Sequence, residues 1–194
     1  MPQMENAANL RRRYADMDLI VSCGDLPAPY LEYITSITNL PLYYVRGNHD
    51  ESYKDFPPGG IDLHNKLVTY KGLSFFGIEG SIQYSRGDIQ YTQFEMQKNL
   101  VTVLRKLWLR RKCYGYGVDV LVTHSPAWGI HDAQDQPHHG FKAFLKVLKW
   151  IRPRYMVHGH VHTWDRRVVT TTQYLDTEIH NINPLRVLEI DPLR

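Results

Sequence analysis

A chain of 194 residues, 43% apolar and 22% charged, has the size and composition of one globular domain with a large core, not of a disordered or fibrous protein. A formal net charge of +3 does not by itself argue for nucleic acid, and no apolar run approaches the length of a bilayer span, so no membrane partner is expected. The start, "MPQMENAANLRRRY", has no apolar stretch behind its arginines and is not a secretory signal, and two cysteines, Cys23 and Cys113, read as reduced thiols of a cytoplasmic protein.

Residues 1–16, with little apolar content beyond Leu10 and Tyr14, read as an N-terminal arm or helix. "DLIVSC" is a short continuous apolar run, the signature of a strand buried on both faces. "PYLEYITSIT" places apolar residues at 30, 31, 34 and 37, the spacing of a short amphipathic helix. "LPLYYVRGNHD" is a second buried strand with a polar end. "KLVTYKGLSFFGIEG" holds two strand-like runs joined through Lys71-Gly72, a hairpin signal. "FEMQKNLVTVLRKLWLRRK" repeats apolar residues at 96, 100, 103, 104, 107 and 108 and is a helix. "VDVLVTHSP" is a third buried strand, "GFKAFLKVLKWI" a helix closed by Pro153, and "RYMVHGHVH" a fourth strand ending in histidines. The tail, "TEIHNINPLRVLEID", predicts two more strands around Asn183-Pro184. Nothing divides the chain, so residues 1–194 are expected to form a single domain of α/β class.

In such sheets ligands bind beyond the carboxyl ends of the strands. All four buried strands end in polar or metal-capable residues: Asp25, then Asn48-His49-Asp50, then His124, then His160 and His162. A carboxylate, an amide and three imidazoles suit a borderline ion such as Mn, Fe or Zn and not calcium, which takes oxygen throughout. Taken singly, Asp25 could cap a helix and Asn48 could serve a turn. His64, His138 and His180 read as ordinary surface or satisfied histidines. The joint pattern is harder to dismiss, because a string such as "GNHD" arises by chance in fewer than roughly one chain in a thousand of this length. Arg46 lies beside that string and is a candidate for a substrate phosphate. His131, in the loop after His124, is a candidate for the substrate pocket. The basic stretch "RKLWLRRK" reads as a solvated, dipole-matched helix end before it reads as a nucleic-acid patch.

"GD" at 24–25, "GNHD" at 47–50, "TH" at 123–124 and "GHVH" at 159–162 together resemble the calcineurin-like metallophosphoesterases, over nearly the whole chain. The resemblance implies a sandwich of two mixed β-sheets flanked by helices (αββα) with a dinuclear metal site at the strand ends. It implies that Asp25 bridges two metals, that Asn48, His124 and His160 complete one of them, and that His162 binds the other. His49 is then the histidine that assists the phosphoryl chemistry, with Asp50 orienting it. The family pattern also opens with a strand ending in Asp-x-His ahead of the Gly-Asp motif. Residues 1–22 contain no histidine and no apolar strand before Asp18, so that first strand is expected to be missing and the site to hold one or two ions. The function expected is a metal-dependent hydrolase of a small phosphomonoester or phosphodiester. The alternatives are a catalytically weakened binding or scaffolding module and a nuclease or nucleic-acid binder.

Overall fold

The computed structural model describes residues 7–162 and 167–192. After a short helix α1 (Ala7–Arg13), strand β1 (Ile20–Ser22), helix α2 (Ala28–Thr38), β2 (Leu42–Tyr44) and β3 (Ile61–Asp62) build a three-stranded parallel sheet in the order β1-β2-β3. A second sheet has six strands: β4 (Leu67–Tyr70), β5 (Leu73–Ile78), β8 (Val120–Thr123), β9 (Tyr155–His158), β10 (Thr171–Tyr174) and β11 (Thr177–Asn181). Its order is β10-β11-β9-β8-β5-β4, with parallel pairs in the middle and antiparallel pairs at both edges. Two-residue strands β6 (Ser81–Ile82) and β7 (Gln90–Tyr91) pair apart from both, and helices α3 (Gln93–Tyr114) and α4 (Lys142–Ile151) complete the set.

The period-two alternation of buried strands sorts side chains into layers. Tyr43, Val45, Phe75, Val120, Val122 and Val157 meet between the two sheets. Their neighbours on the opposite faces, Phe76, Ile78, Leu121 and Met156, pack under Leu100, Leu107, Phe144, Val147 and Leu148 of the helices. On the far side, Leu42 and Tyr44 pack with Ala28, Leu31 and Tyr53 beneath α2. The result is helix, sheet, sheet, helix. Gly77 lets the sheets approach, since a Cβ there would meet Leu63 Cβ at 2.4 Å and Val45 Cγ1 at 2.7 Å.

The predicted hairpin is β4–β5, and its turn residues Lys71 (φ 46°) and Gly72 (φ 82°) both take the left-handed conformation that matches strand twist. Helix α3 begins at a capping box between Thr92 and Glu95. Its basic end is engaged locally: Arg111 Nη1 donates to the Trp150 carbonyl at 2.7 Å, and Lys112 lies over the Trp108 ring at 5.1 Å. The tail departs from its prediction. Thr177–Asn181 is a strand, but residues 183–191 pair with no strand among the described residues, because only Leu188 and Ile190 reach the inter-sheet core while Leu185 and Val187 stay exposed. Strand β10, rich in threonine and polar along its length, carried no apolar pattern and was not predicted. β1 is an edge strand: β2 pairs with one side, and no described strand lies on the other. No helix among the described residues is long and apolar enough to cross a membrane.

Asp119, buried just before β8, ties the sheet to the helix-side loops. It accepts hydrogen bonds from the Ser74 amide (2.9 Å), the Ser74 hydroxyl (2.6 Å) and Arg154 Nη1 (2.8 Å). Burial pushes its carboxyl up, but the Ser74 and Arg154 bonds outweigh burial and hold it below the ordinary carboxylate range. A carboxyl depressed in the folded state adds stability that is full above the unfolded value of about 4 and is lost as pH falls through the folded value. Asp119→Ala, which leaves the buried Ser74 amide and hydroxyl without their acceptor and the half-buried Arg154 guanidinium without its carboxylate, is expected to cost about 2 kcal/mol. Urea midpoints at pH 7 and pH 3 check this: the gap between wild type and variant should narrow at the lower pH.

Candidate metal centre

The loops that leave β1 and β2 cross at two glycines. A Cβ on Gly24 (φ 91°) would meet the Gly47 nitrogen at 2.4 Å, and a Cβ on Gly47 would meet Asp25 Oδ1 at 2.1 Å and His124 Cε1 at 2.5 Å. Nothing larger than hydrogen fits at either position. Asp50 clamps the crossing: its buried Oδ2 accepts the amides of Asp25 (2.7 Å) and Gly47 (2.8 Å). Burial raises the Asp50 carboxyl to about 6, against the pull of those two amides. The Asp25 side chain is held in turn, because its Oδ1 accepts the His49 amide at 2.9 Å.

β8 and β9 bring the imidazoles. His124 is fully buried, and its Nδ1 faces the Cys23 carbonyl at 2.6 Å. His160 Nε2 faces the Pro137 carbonyl at 2.7 Å. A carbonyl only accepts, so each of those ring nitrogens carries the proton. Burial lowers the pKa of both rings, that of His160 to about 4, and both are neutral at pH 7. Their other nitrogens therefore present lone pairs, and these point at each other: His124 Nε2 and His160 Nδ1 are 3.0 Å apart. Asn48 Oδ1 lies 3.0 Å and Asp25 Oδ2 3.4 Å from the same His124 Nε2. The ligand atoms of Asp25, His124 and His160 all lie within 4.8 Å of one another.

Four acceptors thus converge with no proton among them, which repels unless a cation lies between. A carboxylate, an amide oxygen and two imidazoles suit a borderline divalent ion, and the two carbonyl-bound N–H groups supply the outer support that fixes the tautomers of ligating histidines. Asp25 (φ 59°) and His160 (φ 65°) both adopt the left-handed backbone, which costs on the order of 1 kcal/mol each and persists where the surroundings impose it.

Of the sequence candidates, Asp25, Asn48, His124 and His160 meet here. His162 does not join the cluster: its ring is exposed and its Nδ1 contacts the Asn183 amide nitrogen at 3.0 Å. His49 is exposed and lines a cleft of about 450 Å³ next to Asn48, shared with Glu51, Tyr84, Ser85, Arg86, Gly87 and Gln90. Charge on either His49 or His162 reaches His124 and lowers its pKa further. Asp50 hydrogen-bonds backbone amides, not the His49 ring, so it shapes the loops.

Arg46 has an anionic partner within the chain. Its guanidinium makes a two-pronged pair with buried Glu79 (2.7 and 3.0 Å), which also accepts from the Tyr91 hydroxyl, while the arginine side chain stays 27% exposed. His131 is likewise committed elsewhere, between His158 Nε2 (3.1 Å) and the Thr172 hydroxyl (2.8 Å). Sequence reasoning missed Tyr84, whose hydroxyl accepts from Asn48 Nδ2 at 2.9 Å, and the carbonyls of Cys23 and Pro137. Tyr84 lies in a loop without a motif, and backbone carbonyls leave no trace in residue type.

A family model described as calcineurin-like phosphoesterase matches residues 3–164. The Caenorhabditis elegans UPF0046 protein K07C11.7 is 33% identical over 100 residues, which is 52% of this chain and 31% of that protein, so the chain spans about a third of that relative's length. The crystal structure of TT1561 of Thermus thermophilus aligns with a TM-score of 0.57 at 12% identity, covering 90% of this chain and 80% of that one. A second crystal structure aligns with a TM-score of 0.54 at 14% identity, covering 90% and 84%. At these identities the structural matches speak for the fold.

The crossing of the loops yields a direct test. Gly47→Ala puts a methyl into the space of the Asp25 carboxylate and the His124 ring, and should abolish tight Mn binding, measured by elemental analysis after dialysis against Mn. Retention of wild-type Mn content would mean that these donors do not hold the ion.

Proposed function

The chain belongs to the calcineurin-like phosphoesterase family, and we propose that it hydrolyses a small phosphomonoester or phosphodiester with an ion held by Asp25, Asn48, His124 and His160. The observation that carries this reading is the convergence of four lone-pair donors around one point, beside an open cleft. An ion bound there supplies Lewis acidity toward a phosphoryl oxygen and lowers the pKa of a water beside it. The chain's own side chains do the rest. His124 and His160 stay neutral, and Asp25 is the single negative charge among the four donors. His49, exposed and lining the cleft beside Asn48, would give a proton to the leaving oxygen. The cleft, larger than a phosphate needs, takes the leaving group.

The four donors account for one ion; a second, in a dinuclear centre, would rest on Asp25 and His162. The placement of His162 outside the cluster favours one further reading, a family member that binds metal and phosphorylated ligands with weak turnover. A cytoplasmic location is supported by two free cysteines, Cys23 buried and Cys113 exposed.

Mn-loaded protein is expected to hydrolyse nitrophenyl phosphate mono- or diesters and to lose that activity in chelator. His49→Gln should lower turnover about a hundredfold or more while Mn content stays at the wild-type level. Metal-loaded wild type without hydrolysis would select the weak-turnover reading. Undiminished turnover in His49→Gln would remove the assignment of His49.

A further inference from the structure

We infer that Tyr84 is a positioning residue for the ion: its phenol oxygen holds the Asn48 amide with Oδ1 turned toward the donor cluster, and the loop carrying it is built for that purpose. The inference rests on the metal-centre reading above and adds a residue that neither the motifs nor the family match marks out.

The Asn48 amide has an acceptor end and a donor end, and only the acceptor end can ligate. With Oδ1 directed at the His124 and His160 lone pairs, Nδ2 must point away, and there it meets Tyr84 Oη at 2.9 Å. Without a cation the opposite orientation is the better one, because Nδ2–H then donates to the His124 Nε2 lone pair. An ion on Oδ1 polarises the amide and makes its N–H a stronger donor, so the bond to the phenol oxygen is worth most in the loaded state. The phenol can also donate to Oδ1 in the reversed orientation, so Tyr84 favours the ion-bound site through the extra strength of the bond that the polarised N–H makes to it.

The loop is organised around this contact. Gln90, nearly buried, gathers it from within: its Oε1 accepts from the Tyr84 amide (3.2 Å), the Ser85 amide (2.9 Å) and the Ser85 hydroxyl (3.1 Å). Gly87 folds so tightly against it that a Cβ would meet Gln90 Nε2 at 2.6 Å. Beyond the Tyr84–Asn48 bond, the loop touches the residue that follows "GNHD", where the Asp88 amide donates to Glu51 Oε1 at 3.4 Å. The same residues form one wall of the cleft, so the wall that receives the leaving group also supports the ion.

Tyr84→Phe removes one oxygen and keeps the ring. Titrating metal-free protein with Mn and reading free Mn by its electron paramagnetic resonance signal requires no substrate. The dissociation constant is expected to rise about tenfold in Tyr84→Phe, while the melting temperature of the metal-free protein stays at the wild-type value. Gln90→Leu, which unties the loop but leaves the phenol in place, should weaken Mn binding in the same direction. Equal Mn affinity in wild type and Tyr84→Phe would overturn the inference and leave the metal centre standing. A fall in metal-free melting temperature that accounts for the lost affinity would overturn it too, by making Tyr84 a general stabiliser. Wild-type protein that takes up no Mn would remove the metal-centre reading itself, and the inference with it.

Discussion

The crossing of the loops after β1 and β2 is the constraint from which the site's geometry follows. Two chains pass so closely at Gly24 and Gly47 that neither position has room for a side chain, and the Asp50 carboxylate fastens them through the Asp25 and Gly47 amides. That arrangement forces Asp25 into a left-handed backbone and turns its carboxylate toward His124. A buried carboxylate is costly, which is why Asp50 is raised toward neutrality. The fold offsets that cost with two backbone amides, which donate to Asp50 at the point where two strands deliver their candidate donors.

The layered architecture explains how donors from different sheets arrive together. Asp25 and Asn48 come from the three-stranded sheet; His124 and His160 come from neighbouring strands of the six-stranded one. Both sheets present their carboxyl ends on the same side, and the tight approach at Gly77 keeps the layers in register. Asp119, Ser74 and Arg154 provide a comparable polar anchor near the opposite end of β5 and β8.

Much of this was legible in the sequence, for a physical reason. A strand buried on both faces is a continuous apolar run, and a polar residue at its end has no packing role, so the run and its end mark fold and site together. The four central strands, three helices and four converging donors were readable in that way. What escaped were relations between distant segments. Arg46 next to a phosphate-like motif suggests an anion partner, and it has one, but the anion is Glu79, 33 residues away. His131 follows His124 in a loop, yet a left-handed turn aims it at His158 and Thr172. Tyr84 had no neighbour in sequence that gave it meaning. The tail was overread because Val187, Leu188 and Ile190 suggest a strand, whereas only part of that set finds a core to enter.

Burial acts on the site's chemistry before any ion arrives. Excluding water from His124 and His160 keeps both rings neutral, and the Cys23 and Pro137 carbonyls decide which nitrogen keeps its proton. The same burial that costs the fold a pair of charged imidazoles thereby prepares two lone pairs aimed at one point. Asn48 adds a third from a neutral group. Asp25 supplies the only formal charge and lies at the more open side of the cluster, with its side chain 23% exposed. Ligand direction is therefore set by neutral groups, His124 and Asn48 buried and His160 half-buried, that lose little on desolvation, and charge is confined to a half-buried donor that water still reaches. That division lets a strand-end site be rigid and accessible at once, which is the property that the proposed hydrolysis would draw on.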